Sequence, residues 1–171
     1  VSFTFDDGAK SVLMATKVLE DNGMRSTQFI VTCVQEDNPK FNMSWDEIRE
    51  LFRRKHEIGS HTCNHINLLK EENRDIVWDE IYQSRIKLAK ELAVDIDTIQ
   101  TFAAPMGAYD EDEIVYIEKA EYKIAVASWG DGPNLGELNP YTLVRYDINN
   151  KRNSVDTCKF VDQAIENREA T

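Results

Sequence analysis

The stretch that decides the fold is VSFTFDDG, residues 1–8, in which a short strand ends in Asp6-Asp7-Gly8. Val1–Phe5 has the composition of a β-strand. Two adjacent carboxylates at a strand terminus repel each other unless one is neutralised, and a bound cation is the usual means. Gly8 would let the backbone turn sharply beneath such an ion. The simpler alternative is a turn that only caps the following helix.

Strand and helix patterns alternate outward from this stretch along the whole chain. The predicted strands are Val1–Phe5, Thr27–Thr32, Glu57–Ser60, Thr98–Ala103, Tyr122–Ala127 and Thr142–Ile148, and the predicted helices are Lys10–Asn22, Ser44–Arg54, Glu72–Leu92, Glu111–Ala120 and Ser154–Asn167. Ser44 with Glu47 three residues later forms a capping box. The alternation predicts an α/β fold with a mainly parallel sheet covered by helices. The length of 171 residues fits a single domain.

Polar and conformationally special residues follow several of the predicted strands. They are Asp6-Asp7-Gly8, Ser60-His61, Pro105-Met106-Gly107 and Trp129-Gly130-Asp131. The carboxyl ends of parallel strands carry the functional site in this class of fold. The sequence therefore predicts a site at one edge of the sheet.

His61 and His65 are a second signal, because they stand four residues apart in SHTCNH, residues 60–65. If a helix begins there, this spacing places both imidazoles on one face, as two neighbouring metal ligands require. A chance pair on a surface helix is the alternative. Two histidines with one aspartate leave coordination positions open for water and substrate. A second aspartate could then act as a base on that water.

The composition excludes some classes of protein. A formal net charge of −11 argues against a nucleic-acid partner, because such binding depends on clustered lysines and arginines. No apolar run approaches the ~18 residues of a membrane span. Cys33, Cys63 and Cys158 are too few and too widely spaced for a disulfide framework or a CxxC zinc site. We expect each of them to be a buried free thiol.

These motifs resemble the NodB-homology polysaccharide deacetylases, a family that includes chitin, chitooligosaccharide and peptidoglycan deacetylases. Its first motif resembles TFDDG, residues 4–8, and its second resembles HTCNH, residues 61–65, preceded by HEIGS, residues 56–60. The third resembles FAAPMG, residues 102–107, and a late motif falls at Leu143-Val144-Arg145. The resemblance implies a distorted, incomplete (β/α) barrel of about seven units.

The resemblance also implies an activity, which is removal of N-acetyl groups from an oligo- or polysaccharide. By motif position, Asp6 would be the general base, and Asp7, His61 and His65 would hold a divalent metal, usually zinc and sometimes cobalt or nickel. Family members suggest an extracellular or cell-envelope location, and a cytoplasmic one stays open. The oligomeric state is also open.

Several positions depart from the family pattern. Many members carry an arginine that steadies the catalytic aspartate where this chain has Ala103. Arg145 is our candidate for that role, and an exposed arginine at a strand end is the alternative. The fourth motif is not cleanly present, although Trp129 lies nearby and is either a sugar-stacking platform or a rim or core aromatic.

Candidate substrate-binding residues follow from the later motifs. They are Pro105, Gly107, Trp129 and Leu143.

The general acid of the family, a histidine in a late Leu-x-His motif, has no counterpart here. The chain has three histidines, and two of them are the expected metal ligands. His56 precedes the third predicted strand, at the end opposite the site, and we expect it to be a turn or core histidine. The branch with the altered third motif often carries the acid histidine on an earlier strand, so we expect that group upstream of Val1, in a chain truncated at its N-terminus.

Three functions remain open from the sequence. The first is metal-dependent deacetylation of a glycan. The second is hydrolysis of a small cyclic amide, an activity that some relatives of this fold carry out with the same kind of metal site. The third is glycan binding without turnover, suggested by the missing arginine and histidine.

Overall fold

The structure is a computed structural model that describes residues 2–127, 134, 138–148 and 154–169. Its strands are β1 (Phe3–Phe5), β2 (Ser26–Ile30), β3 (Glu57–Ser60), β4 (Thr101–Ala103) and β5 (Ile124–Val126). Its α-helices are α1 (Val12–Asp21), α2 (Trp45–Arg53), α3 (Arg74–Leu92), α4 (Glu111–Lys119) and α5 (Ser154–Glu169). Short 3₁₀ turns occupy Leu68–Lys70, Ile96–Thr98 and Pro105–Gly107. These elements follow the predicted alternation closely.

The five strands form one parallel sheet whose spatial order is the chain order, β1-β2-β3-β4-β5. A doubly wound sheet reverses its strand order near the middle, whereas a (β/α) barrel adds each strand beside the previous one. The sequential order therefore confirms the distorted, incomplete barrel, with five strands among the described residues. It also brings all five carboxyl ends to one rim.

The helices cover the outer face of the sheet and supply most of the core. The buried side chains of this layer include Ile48, Leu51, Ile58, Ile81, Leu88, Phe102 and Tyr122. Burying an aliphatic or aromatic side chain of this size contributes about 1.5–3 kcal/mol, so this layer is the main source of stability. The predicted capping box is present, since Ser44 Oγ accepts from Glu47 N and Glu47 Oε2 accepts from Ser44 N.

The inner face of the sheet carries a second, smaller cluster. Phe29, Ala103 and Val126 are buried there, with Leu143 packed against them. Gly59 makes room for this cluster, because a Cβ at that position would lie 2.7 Å from the Phe29 ring and 2.5 Å from Thr101 Oγ1. The inner face is thus apolar directly below the rim.

The predicted strand Thr142–Ile148 is wrong. This segment makes only an isolated bridge between Leu143 and Val126, and Ala127 N donates to Leu143 O at 2.8 Å. The backbone of Val144 is bound instead by the Asn134 side chain, which accepts from its N–H and donates to its carbonyl at 2.9 Å each. Both hydrogen-bonding groups that would extend a ladder at Val144 are therefore occupied.

None of the helices within the described ranges combines the length and apolar character that crossing a membrane would need.

Candidate active site

The site lies at the rim where β1, β3 and β4 end. Asp6 and Asp7 follow β1, and His61 follows β3. Asp7 and Gly8 both adopt left-handed conformations, each with φ 69°. Gly8 is further constrained, because a Cβ there would lie 2.6 Å from the buried Gln35 side chain, whose Nε2 donates to Gly8 O at 2.9 Å. The sharp turn that the sequence predicted after β1 is therefore fixed by a side chain from outside the motif.

Asp7, His61 and His65 converge, with one donor atom from each lying within 4.8 Å of the others. Asp7 Oδ1 lies 3.5 Å from His61 Nε2 and 3.2 Å from His65 Nε2. Ligands held ~2.0–2.2 Å from a tetrahedral zinc ion lie about 3.3–3.6 Å apart, so these spacings fit such an ion. Hydrogen bonding to His61 and the charges of both histidines hold the pKa of Asp7 below its usual range, against the effect of partial burial.

His61 is oriented by the end of β4. Its buried ring places Nδ1 2.7 Å from the carbonyl oxygen of Ala103. A carbonyl can only accept, so Nδ1 carries a proton, and Nε2 is the ring nitrogen that faces Asp7 and would bind an ion. Backbone carbonyls orient metal-binding histidines in the same way in many proteins. Ala103 stands where many family members have arginine, and it contributes to the site through its backbone carbonyl, which orients His61.

The helix that would place His61 and His65 on one face is not present at this segment. Residues 61–65 form a loop with left-handed conformations at Thr62, φ 64°, and His65, φ 59°. The two imidazoles meet because the chain turns back on itself, with His65 N donating to Thr62 Oγ1 at 3.1 Å. Their ring centroids are 5.0 Å apart. The structure brings the two histidines together through a loop rather than through helical periodicity.

Two polar residues of α3, which the sequence reasoning missed, hold this loop in place. Glu80 is buried and accepts from Asn64 N at 2.8 Å and from Asn64 Nδ2 at 2.5 Å. Ser84 is also buried and donates to Thr62 O at 3.2 Å. Their spacing could have revealed this role, because Glu80 and Ser84 fall on the same helix face as the apolar Val77 and so face the protein interior. A polar pair on an inward face needs partners, and here the partners are the loop.

Arg145 binds Asp6 with both ends of its guanidinium. Nη1 donates to Asp6 Oδ1 at 2.7 Å and Nη2 donates to Oδ2 at 2.8 Å. Nη1 also donates to Thr4 Oγ1 at 3.1 Å, and Nε donates to the Ala127 carbonyl at 2.9 Å. The Asp6 carboxylate is thereby locked in a plane, with Oδ2 3.9 Å from His61 Nε2. Each oxygen keeps a lone pair for a further donor.

The candidate substrate-binding residues are placed differently from one another. Pro105 and Gly107 are buried in the turn after β4, and Met106 between them is 63% exposed, with φ 60°. Leu143 belongs to the inner apolar cluster below the rim. Trp129 lies outside the described residues, so its predicted role stays a prediction.

His56 is a core histidine at the far end of β3, as expected. Its Nδ1 accepts from Ser26 N at 3.2 Å, and its Nε2 donates to Glu20 Oε1 at 2.8 Å. The side chain is fully buried and takes no part in the site.

The expectation of three buried thiols holds only for Cys63. Cys33 and Cys158 are exposed, and all three thiols are free. Burial raises the pKa of the Cys63 thiol to about 12.

Residues 1–125 match the sequence model of the polysaccharide deacetylase family. The fold is similar to that of the Streptococcus pyogenes deacetylase PplD, solved in complex with acetate, with a TM-score of 0.81 and 20% identity over 94% of this chain and 69% of that one. A polysaccharide deacetylase from Bacillus cereus gives a TM-score of 0.77 and 22% identity over 94% of this chain and 50% of that one. No curated protein matches by sequence.

A more distant structural neighbour is a CE4 family pseudoenzyme from Bacillus anthracis, with a TM-score of 0.60 and 14% identity over 72% of this chain and 41% of that one. The present chain thus spans half or less of two of these three proteins.

Proposed function

Because this chain belongs to the polysaccharide deacetylase family, we propose that it is a metal-dependent hydrolase that removes N-acetyl groups from an oligo- or polysaccharide. The observation that carries the proposal is the pair of neighbouring arrangements at the rim. One is the convergence of Asp7, His61 and His65, and the other is the Asp6 carboxylate held by Arg145. The attacking water and the acetamide carbonyl would bind between these two arrangements.

Asp7, His61 and His65 would hold the ion, which we expect to be zinc, with cobalt or nickel as alternatives. Such an ion polarises a carbonyl and acidifies bound water. The Ala103 carbonyl keeps the proton of His61 on Nδ1, so Nε2 remains available as a ligand.

Asp6 would act as the general base. Its Oδ2 lies 3.9 Å from His61 Nε2, which places the carboxylate beside the ligand atoms, close enough to reach a water molecule there. It would take a proton from that water as the oxygen attacks the acetamide carbon. Arg145 would keep the carboxylate in the required plane. Cleavage of the C–N bond, with the leaving nitrogen taking its proton from solvent water, would then give acetate and the free amine of the sugar.

Acetate release tests the proposal. The zinc-loaded protein is incubated with N-acetylated oligosaccharides of several types, with and without a chelator, and acetate is measured. We expect release that depends on metal and that falls ~10²–10⁴-fold in Asp6→Asn, with metal content retained. The exposed Asp79→Asn is the matched control and should keep the parental rate.

A second candidate function is glycan binding without turnover. The observation that favours it is that the three histidines are His56, buried in the core, and the two candidate metal ligands, so none is available to protonate the leaving amine. Glycan binding with no acetate from any metal-loaded sample would replace the first proposal by this one. Ring opening of a small cyclic amide supplied to the same metal-loaded protein, without acetate release from the glycans, would indicate the cyclic-amide hydrolase instead.

A further inference from the structure

Cys33 and Cys63 lie opposite each other just beyond the ends of β2 and β3. The pairing Ile30↔Ser60 at the end of the ladder continues past both strands, since Cys33 N donates to Cys63 O at 2.8 Å. Neighbouring strands are ~4.7–4.9 Å apart. A disulfide spans ~4.4–6.8 Å between Cα atoms, so this backbone separation suits one.

The two side chains also share a polar neighbour. Thr32 Oγ1 sits beside both, 3.6 Å from Cys63 Sγ and 4.0 Å from Cys33 Sγ. One hydroxyl group is thus a neighbour of both sulfur atoms, on backbone segments whose separation suits a disulfide.

A small reagent can reach the pair. Cys33 is exposed, and both cysteines line a pocket of about 260 Å³ on the side of α3. Lys87 and Lys90 line the same pocket, together with Glu91. Glu91 is already paired with an arginine of α2 at 3.1 Å, so the lysines dominate the local charge. The entrance therefore favours an anionic reagent.

We propose that Cys33 and Cys63 form a redox-active dithiol that closes to a disulfide on reaction with a small anionic disulfide of the glutathione class. The exposed Cys33 sulfur attacks the reagent, breaks its S–S bond and releases one reduced thiol. The Cys63 sulfur then attacks Cys33 in the mixed disulfide and displaces the second reduced thiol. The protein loses two hydrogens, and the reagent gains the two electrons and two protons.

The cross-link would join β2 to the loop that carries the candidate metal ligands, because Cys63 lies between His61 and His65. Closing the long intervening segment restricts the unfolded chain, so the oxidised protein should unfold at a higher temperature than the reduced protein. A reductant should reverse the shift. This inference does not depend on the proposed catalytic activity.

The experiment uses the full-length, metal-loaded chain, reduced, freed of reductant and treated with oxidised glutathione. Intact mass, alkylation of the remaining thiols and peptide mapping should show a Cys33–Cys63 cross-link with Cys158 still free. Cys158→Ser should behave identically, and Cys63→Ser should stop at glutathione attached to Cys33. Stable glutathionylation of Cys33 in the parent, a cross-link to Cys158, or no reaction would each overturn the proposal.

The lysines provide an independent test. The parent should react several-fold faster with oxidised glutathione than with the neutral 2-hydroxyethyl disulfide, and Lys87→Gln with Lys90→Gln should remove that preference. If the parent and the double lysine variant show the same preference between the two disulfides, the proposal of an anionic reagent is refuted. If Cys63→Ser does not fold, Cys33→Ser in the Cys158→Ser background replaces it, and its remaining Cys63 thiol should stay free on treatment.

Discussion

Replacing Arg145 by lysine tests whether the guanidinium acts through Asp6. In the structure two parallel N–H groups bind the two carboxylate oxygens at 2.7 and 2.8 Å, and a third group fixes the arginine to the Ala127 carbonyl. Lysine keeps the positive charge and loses this fork, because an ammonium cannot hold both oxygens in one plane. In this variant the Asp6 carboxylate would keep a positively charged neighbour but would no longer be held in one orientation.

The expected cost follows from the bonds that are removed. A hydrogen bond to a charged group contributes about 1.5–3 kcal/mol. If the free energy of one lost hydrogen bond is added in full to the activation free energy of acetate release, kcat/KM should fall roughly 10- to 150-fold. This follows because 1.36 kcal/mol corresponds to tenfold in rate. Arg145→Met removes both bonds and the charge, so it should approach the ~10²–10⁴-fold loss expected of Asp6→Asn.

The assay is steady-state acetate release at saturating zinc, with metal content measured for every variant. Arg49→Lys is the control, because Arg49 also binds carboxylates but lies on α2, away from the rim. In the Asp6→Asn background, Arg145→Lys should cost almost nothing, since a residue that acts through Asp6 has no effect without it. The reasoning fails if Arg145→Lys stays within threefold of the parent, or if its cost is the same in both backgrounds.

Three further predictions concern the metal, the loop and the pH dependence of stability. The protein should bind about one zinc ion by elemental analysis, and His61→Ala with His65→Ala should abolish that binding; full metal content in the double variant would place the site elsewhere. Glu80→Ala leaves the two Asn64 donors of the loop without their carboxylate, so urea unfolding should show a loss of about 1–3 kcal/mol and zinc binding should weaken. Exposed Glu72→Ala should show neither effect. A hydrogen bond from His56 lowers the pKa of Glu20 from its usual value of 4.5. The ionised Glu20 carboxylate therefore stabilises the fold fully above about pH 4.5, and this stabilisation is lost as pH falls through the lower pKa of the folded state. Glu20→Gln should therefore have a flatter dependence of the unfolding free energy on pH below about 4.5, and an unchanged slope would contradict this.

The parts of the fold that follow local rules were predictable from the sequence. The capping box at Ser44, the strand before Asp6 and the alternation of strands and helices all depend on neighbouring residues, and the structure contains each of them. The sequential strand order depends on how successive units pack. It was expected through the resemblance to a known family, because composition and periodicity are compatible with a doubly wound sheet as well.

The parts that depend on distant contacts were predicted poorly. For the segment from His61 to His65 the sequence offered only the spacing of the two histidines, which is that of one helix face, whereas Glu80 and Ser84 of α3 hold the segment as a loop. The segment around Leu143 has strand-like composition, but a side chain ten residues earlier occupies the backbone groups that a strand would use. In both cases a long-range polar contact overrides the local preference.

Backbone conformation shows how the site differs from the rest of the chain. Seven non-glycine residues within the described ranges have positive φ. Three of them, Lys55, Ala93 and Glu121, lie just past the ends of α2, α3 and α4, where a left-handed residue commonly ends a helix. The other four, Asp7, Thr62, His65 and Met106, follow β1, β3 and β4 at the candidate site.

Each left-handed residue of this second group costs about 1–3 kcal/mol, and that cost must be offset by contacts outside the turn. The contacts are visible for two turns: Gln35 holds the Gly8 carbonyl after β1, and Glu80 and Ser84 hold the loop after β3. The ligand positions are therefore set by buried polar side chains from other elements rather than by the motifs themselves. It follows that substituting these anchors should weaken metal binding even though none of them can touch the ion.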